Sequence, residues 1–168
     1  MTAADSGRAE RAVIAALDAL GADYELIRID PAYANTAAFC DRYGYPPETS
    51  ANCIVVASKT AEPRHAACVV QATRRLDVNG TVRRRLGVRK ASFAPAEETV
   101  ALTGMLPDGV TPFGLPGDLP LWVDEDVVAH ASVVVGGGSR ALKIRVATEA
   151  FGRIPGAEVV AGLAKPPG

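Results

Sequence analysis

The chain has 168 residues, of which 48% are hydrophobic and 22% charged, with a formal net charge of −1. This composition suits one domain with a substantial core, and it excludes both a disordered chain and a strongly basic, histone-like nucleic-acid binder. No apolar run approaches the roughly 20 residues of a membrane span. The segment Met1–Gly7 lacks the features of a signal peptide, so we expect a cytoplasmic protein without a membrane partner.

The first half of the chain is predicted to combine two helices with three strands. Apolar periodicity, capping residues and glycine stops mark the helices, and continuous apolar runs mark the strands. In chain order these are a helix capped by Ser6 and running to Leu20, a strand over Tyr24–Ile29, a helix that Asn35 or Thr36 can cap and that stops at Gly44, and a hairpin of strands Cys53–Ala57 and Ala66–Gln71.

The second half is predicted to contain shorter elements around an irregular segment, Met105–Pro120, which is rich in glycine and proline. Mixing hairpins with helices favours an α+β fold, with a curved, mostly antiparallel mixed sheet surrounded by helices. We expect one domain over residues 1–168, with a frayed tail from Lys165 to Gly168. The elements are a helix over Asp77–Leu86, a strand over Ala91–Phe93, a helix from Pro95 to Gly104, strands Leu121–Val123, Ser132–Val135 and Leu142–Val146, a helix over Thr148–Arg153 and an edge strand Glu158–Val160.

Three consecutive glycines, Gly136, Gly137 and Gly138, precede Ser139 and Arg140 between two predicted strands. The absence of Cβ atoms lets a ligand approach the backbone closely. Successive amides in such a turn form an anion-binding nest or an oxyanion hole for an ester carbonyl. The alternative interpretation is a flexible hairpin turn.

A second glycine-containing loop runs from Asp108 to Gly114. Pro112 fixes its own φ and favours an extended Thr111, while Gly109 permits a bend. A connection of this length is often functional, so we expect it to form one wall of a pocket. The alternative is an ordinary surface connection.

A basic stretch extends from Arg74 to Lys90, with Asp77 as its one acidic residue. This concentration of charge predicts contact with RNA phosphates and a salt-sensitive affinity. The alternative is a solvated helix face, and no aromatic residues alternate with the charges to stack on bases. The predicted contacts are Arg74, Arg75, Arg83, Arg84, Arg85, Arg89 and Lys90.

Cysteine and histidine patterns give no metal or nucleophile motif. Cys40, Cys53 and Cys68 are odd in number and lack the spacing of a zinc site, so we expect structural thiols in a reducing compartment. His65 and His130 have no recognisable serine or cysteine partner motif and are interpreted as structural or solvent-facing. No phosphate-binding or dinucleotide-binding glycine motif is present, and we expect neither metal nor cofactor.

Five segments together resemble the YbaK/EbsC family, which includes the editing domain inserted in bacterial prolyl-tRNA synthetases. The resemblance runs in order from about Leu20 to Val160, and the order and spacing of the segments carry it. The segments are Ala67–Thr73, Leu86–Ala94, Leu102-Thr103-Gly104, Gly109–Gly114 and Val133–Arg140.

The resemblance implies a trans-editing aminoacyl-tRNA deacylase, which cleaves the ester between a wrong amino acid and the 3′ acceptor end of tRNA, often the tRNA for proline. The partners it implies are aminoacyl-tRNA and an aminoacyl-tRNA synthetase. Water would attack the ester, and the loop residues 136–139 would stabilise the oxyanion. The expected substrate-binding residues are Gly109, Thr111, Pro112, Cys53 and Arg140.

One position departs from the family pattern. A lysine followed by threonine or serine opens the first core strand in the family, whereas here Asn52 and Cys53 stand there. Lys59-Thr60 comes after the strand, roughly 20 Å further along at about 3.3 Å per residue. We therefore expect Asn52 to act in the site by hydrogen bonding to ribose or phosphate, without a positive charge. Asp108 also replaces the family's first loop glycine.

Three functions remain open from the sequence. One is an active deacylase with a variant site. The second is a non-catalytic relative that binds tRNA or a synthetase and has lost the family lysine. The third is a hydrolase or binding protein for another small acyl or nucleotide ligand.

Overall fold

A computed structural model describes residues 2–167 of the chain. The α-helices are α1 (Ala3–Ala19), α2 (Thr36–Tyr43), α3 (Arg83–Leu86), α4 (Ala96–Thr103) and α5 (Glu125–Val128). The strands are β1 (Tyr24–Arg28), β2 (Ala51–Ser58), β3 (His65–Gln71), β4 (Arg75–Leu76), β5 (Ala91–Phe93), β6 (Leu121–Asp124), β7 (Ser132–Gly136), β8 (Leu142–Ala147), β9 (Ala157–Val160) and β10 (Ala164–Lys165). Short 3-10 turns cover Pro31–Tyr33, Pro47–Thr49 and Thr148–Arg153.

The strands form two larger sheets, where the sequence predicted one. One sheet has the order β5-β2-β3-β6-β9 and the other β1-β8-β7, while β4 and β10 form a separate pair. Pairing is antiparallel except between β3 and β6 and between β6 and β9. A parallel bridge between Ser50 and Val134 joins the start of β2 to β7, so the two sheets approach each other at that point. The predicted mixed, mostly antiparallel sheet is confirmed.

Helix α1 begins earlier than the sequence pattern indicates. Thr2, and not Ser6, is the N-cap, and it forms a reciprocal capping box with Asp5. The helix buries Ala9, Val13 and Leu17 against the space between the sheets. That face is shared with the stacked rings of Phe113 and Phe151, whose centroids are 5.6 Å apart.

The predicted helix over Asp77–Leu86 is wrong in its first half. Residues Val78–Val82 form a π-helical turn, and α3 begins only at Arg83. The Asp77 carboxylate accepts the amide of Thr81 at 3.0 Å, which widens the first turn. A Cβ at Gly80 would lie 2.3 Å from that carboxylate, so the wide turn requires glycine there.

Short elements account for the other differences. Helix α5 and the pair β4–β10 were not predicted, because two to four residues carry too little periodicity to be recognised. Lys165 pairs with Arg75 in that small sheet, which contradicts a tail frayed from Lys165, while Gly168 lies outside the described residues. Within residues 2–167, no helix is both long and apolar enough to cross a membrane.

Candidate functional site

A cavity of about 460 Å³ lies where the two sheets approach each other. Its walls come from the start of α2, the first half of β2, the loop before Val110 and the facing ends of β7 and β8. The volume falls in the usual range of ligand pockets. Its polar and charged lining includes Asn35, Thr36, Asn52, Asp108 and Lys143.

The triple-glycine turn and the proline-bearing loop are in backbone contact beside this cavity. The Gly138 amide donates to the Gly109 carbonyl at 2.8 Å. A Cβ at Gly136 would lie 2.6 Å from the Val110 carbonyl oxygen, and one at Gly109 would lie 3.0 Å from Ser139 backbone atoms. The two loops therefore meet, and glycine is needed because no side chain fits between them.

The three glycines themselves have different surroundings. Gly136 lines the cavity. A Cβ at Gly137 would collide with Leu142 at 2.5 Å, and Gly138 has a φ of 96° and packs on Ala9 of α1. Because the Gly138 amide is already bonded, it is not free to stabilise a reacting carbonyl. Among the three glycines, Gly136 is therefore the one that lines the cavity.

Ser139 also faces away from the cavity. Its side chain is buried, donates to Glu10 Oε1 at 2.7 Å and accepts the Ala141 amide at 3.1 Å. Glu10 in turn pairs with Arg28 at 2.8 Å. These bonds fasten the turn to α1, so the Ser139 hydroxyl is engaged in structure rather than placed beside the site.

Asp108 adopts the conformation expected of the glycine it replaces. Its φ is 69°, in the left-handed region that aspartate tolerates better than most residues. Its carboxylate pairs with Arg140 at 3.0 Å, and Arg140 also donates to the Pro31 carbonyl at 3.2 Å. Arg140 thereby connects two loops at the edge of the cavity.

The other residues of the Asp108–Gly114 loop that were predicted to bind substrate lie behind the cavity wall. Thr111 and Pro112 are buried and do not line the cavity. Gly109 does not line it either, but its carbonyl accepts the Gly138 amide and so holds the loop against the glycine turn. The Thr111 hydroxyl has no hydrogen-bond partner among residues 2–167.

Asn52 lines the cavity. Its Oδ1 accepts a hydrogen bond of 2.5 Å from Thr36 at the start of α2, and Asn35 caps that helix by accepting two backbone amides. The Asn52 side-chain amide is thereby oriented with its NH₂ group available to a ligand. Neighbouring Cys53 also lines the cavity, and burial raises the pKa of its thiol to about 12, so it stays protonated at neutral pH.

Lys143 is a cavity residue that the sequence analysis did not identify. It lies on β8 opposite Gly136 and is 5% exposed. Its Nζ donates to the carbonyl oxygens of Ala34 at 2.7 Å and Asp108 at 3.3 Å. Burial lowers the pKa of Lys143 below its usual value, while the nearby Asp108 carboxylate opposes the shift. A lone lysine in an apolar strand directly after the glycine turn was the available signal.

The basic residues separate into two groups. Arg83, Arg89 and Lys90 join Lys59 and Arg64 along a groove between α3 and the β2–β3 connection. We call these five side chains the basic groove. It begins where β2 ends, so it lies beyond the cavity along the same strand.

The other predicted RNA contacts lie outside the basic groove. Arg74 pairs with Asp126 at 3.1 Å, and Arg85 pairs with Glu158 while lying 4.8 Å from the ring centre of Trp122. Arg84 donates to Thr81, and Arg75 lies on β4.

Neither histidine reaches the cavity. His65 lies 3.2 Å from a Glu98 carboxylate oxygen, and His130 is 2.9 Å from the Gln71 amide. Both fit the structural interpretation made from the sequence. Within residues 2–167, no group of three or more His, Cys, Asp or Glu side chains is arranged to hold a metal ion.

Comparison with known proteins gives one family match and several matching structures. A family model described as "Aminoacyl-tRNA editing domain" matches residues 30–154. The crystal structure of hypothetical protein APE2540 is similar with a TM-score of 0.80 and 24% identity, covering 92% of this chain and 99% of that one. A candidate trans-editing enzyme for prolyl tRNA synthetase gives 0.77 and 23%, covering 95% and 98%.

A more distant likeness involves a larger protein. A structure named as a signal transduction protein from Marinobacter aquaeolei VT8 has a TM-score of 0.60 and 18% identity, covering 90% of this chain and 30% of that one. At these identities the structural likenesses show the fold alone.

Proposed function

Because the chain belongs to the aminoacyl-tRNA editing domain family, we propose that it is a trans-editing deacylase that hydrolyses the ester of misacylated tRNA. The observation that carries the proposal is the cavity itself, in which Asn52, Gly136 and Lys143 converge beside two loops in backbone contact. An aminoacyl ester is already activated, so the protein needs to hold and polarise it.

Water is the attacking group in this proposal. The thiol of Cys53 is held protonated, the Ser139 hydroxyl is bonded to Glu10, and both histidines lie outside the cavity. Asn52 is the residue we assign to the ribose of the terminal adenosine, because its amide donor is oriented by Thr36.

The surface between the cavity and the basic groove suits the acceptor end of tRNA. Phe93 lines the cavity and is 58% exposed, which suits stacking of a base on its ring. Lys59 follows the end of β2, roughly 20 Å from Asn52 at about 3.3 Å per residue. An acceptor end with its ester in the cavity would therefore place preceding phosphates near the basic groove, which we assign to tRNA binding.

The first substrate to test is tRNA for proline carrying a small wrong amino acid. A structurally similar protein is named as a candidate trans-editing enzyme for prolyl tRNA synthetase, and a synthetase is accordingly a second partner to examine. The three cysteines are free, which fits the reducing cytoplasm that we propose as its location.

The test is release of labelled amino acid from tRNA for proline charged with alanine, cysteine or serine, compared with the spontaneous rate and with prolyl-tRNA. We expect faster release from at least one wrong ester and none from prolyl-tRNA. Asn52→Ala should slow release about two- to tenfold, since a neutral hydrogen bond to a substrate hydroxyl contributes about 0.5–1.5 kcal/mol. Asn79→Ala, an exposed asparagine outside the cavity, is the matched control.

The other functions predict different results. Tight binding of every charged tRNA without release would indicate a non-catalytic tRNA-binding relative. No binding to any tRNA would overturn the proposal and favour another small acyl or nucleotide ligand.

A further inference from the structure

We propose that Lys143 is the electrophilic residue of the cavity and donates a hydrogen bond to the ester carbonyl oxygen as it becomes an oxyanion. This inference rests on the proposed deacylase function. It also accounts for the missing family lysine, because a positive charge enters the same cavity from β8 instead of from position 52 on β2.

The placement of the ammonium is specific. Lys143 lies directly across from Gly136 in the β7–β8 ladder, and both residues line the cavity. Two of its three N–H bonds are directed to the carbonyl oxygens of Ala34 and Asp108, and its Nζ lies 5.6 Å from the Phe39 ring centre. The third N–H is available to a ligand in the cavity.

The burial of Lys143 points to a role for its charge. Removing an ammonium from water is costly even when it is hydrogen-bonded, and a methionine would fill similar space without that cost. Two neutral carbonyl partners satisfy the geometry of Nζ but do not neutralise it. A negatively charged partner that exists only during the reaction, such as a tetrahedral oxyanion, would complete the site.

The depth of Lys143 favours the ester over a phosphate. Lys143 is 5% exposed, whereas Arg140 at the edge of the cavity is partly exposed and already paired with Asp108. The aminoacyl group is the terminal part of the substrate and enters furthest. The bulkier, strongly hydrated phosphates therefore stay nearer the opening.

The reaction balances without any proton lost or gained by Lys143. Water adds to the carbonyl carbon and loses one proton, and the carbonyl electron pair moves to the oxygen that accepts the Nζ–H bond. When the carbonyl reforms, the bond to the ribose oxygen breaks, and that oxygen takes up a proton. The products are the free amino acid and tRNA with an intact terminal hydroxyl.

A purely structural role is the competing explanation, because Lys143 also connects the Ala34 and Asp108 loops. Two measurements distinguish a catalytic from a structural Lys143: the pH dependence of enzymatic release, and the NMR signal of the Lys143 side chain when a substrate analogue binds. The first is the pH dependence of enzymatic release, which requires the ammonium form. Asp108, Cys40 and Arg140 are the charged or titratable groups acting on Lys143, and burial is the main influence on its pKa.

The sign of the pH effect follows from that lowered pKa. The rate of release, after subtraction of spontaneous hydrolysis, should be at its maximum below the Lys143 pKa and should fall as the pH rises through it. Because the pKa is lowered, this fall should come at a pH below the usual lysine value of 10.5. Lys143→Arg, which stays protonated, should move this decline to higher pH.

The experiment combines single-turnover release with NMR of lysines labelled at Cε, of which the chain has four. An uncleavable analogue, alanine joined by an amide to 3′-amino-3′-deoxyadenosine, should shift the Lys143 signal and leave the Lys165 signal unchanged. Lys143→Met should lower kcat and kcat/KM together by about 10²–10³, the usual loss for one oxyanion donor. Lys165→Met is the matched control, and melting curves verify that each variant is folded.

The outcomes separate this inference from the function on which it rests. Release by the wild type with equal release by a folded Lys143→Met overturns the Lys143 assignment and leaves the deacylase. An unshifted Lys143 signal at saturating analogue also overturns it. No release by the wild type from any wrong ester overturns the deacylase, and the catalytic assignment falls with it.

Discussion

At the scale of single residues, the site depends on side chains whose neighbours come from distant parts of the chain. Asn52 is oriented by Thr36 from α2, and Lys143 bonds to Ala34 and Asp108. None of these contacts is local in sequence. A substitution at one of them therefore removes a contact between distant segments of the chain.

Phe93 provides a residue-scale prediction. Phe93→Ala should raise KM for mischarged tRNA, because base stacking on an aromatic ring contributes about 1–3 kcal/mol per base, which corresponds to roughly a 5- to 150-fold change. Phe93→Trp should keep KM near the wild-type value. Leu26→Ala removes another exposed apolar side chain, on β1 and outside the cavity, and should leave KM unchanged. Equal KM values for Phe93→Ala and the wild type would exclude stacking.

Residue identity was predictable from the sequence where backbone geometry dictates it. Gly136 was singled out because a missing Cβ permits close approach of a ligand, and Gly109 because it permits a bend. In the structure the close approach at both glycines is made by backbone of the other loop. Lys143 was not recognised, because its burial depends on β8 being the central strand between β1 and β7. A single sequence does not reveal which strands flank β8.

At the scale of elements, local signals set most boundaries. Strand β5 was predicted residue for residue, and Asn35 and Gly44 bound α2 as expected. The α-helix predicted over Asp77–Leu86 is wrong in its first half, because Asp77 accepts the Thr81 amide and residues Val78–Val82 form a π-helical turn. Helical periodicity alone does not distinguish such a turn from an α-helix.

The basic groove gives a prediction for these elements. Arg89→Glu combined with Lys90→Glu should weaken tRNA binding and reduce the slope of log Kd against log salt concentration by about 1.4–1.8, since each lost phosphate contact removes about 0.7–0.9. The matched control is Arg8→Glu with Arg11→Glu, which reverses two exposed charges on α1. Binding should be measured by filter retention between low and physiological salt. Equal weakening by both pairs would indicate a general charge effect and no specific groove.

At the scale of the whole molecule, the cavity results from how two sheets meet. The bridge between Ser50 and Val134 brings the start of β2 to β7, and the glycine turn packs on the loop at Gly109. The sequence predicted a mixed, mostly antiparallel sheet, but not its division into two sheets. That division depends on long-range pairing, which a pattern of apolar residues leaves undetermined.

The central claim is that the aminoacyl end of tRNA is bound and hydrolysed in this cavity. The most direct measurement is a crystal structure of the protein with an RNA acceptor minihelix whose terminal alanine is joined by the uncleavable amide. We predict the alanyl carbonyl within hydrogen-bond distance of Lys143 Nζ, the ribose beside Asn52 and the terminal base against Phe93. An alanyl group bound outside the cavity, with the cavity unoccupied at full ligand occupancy, would contradict the account.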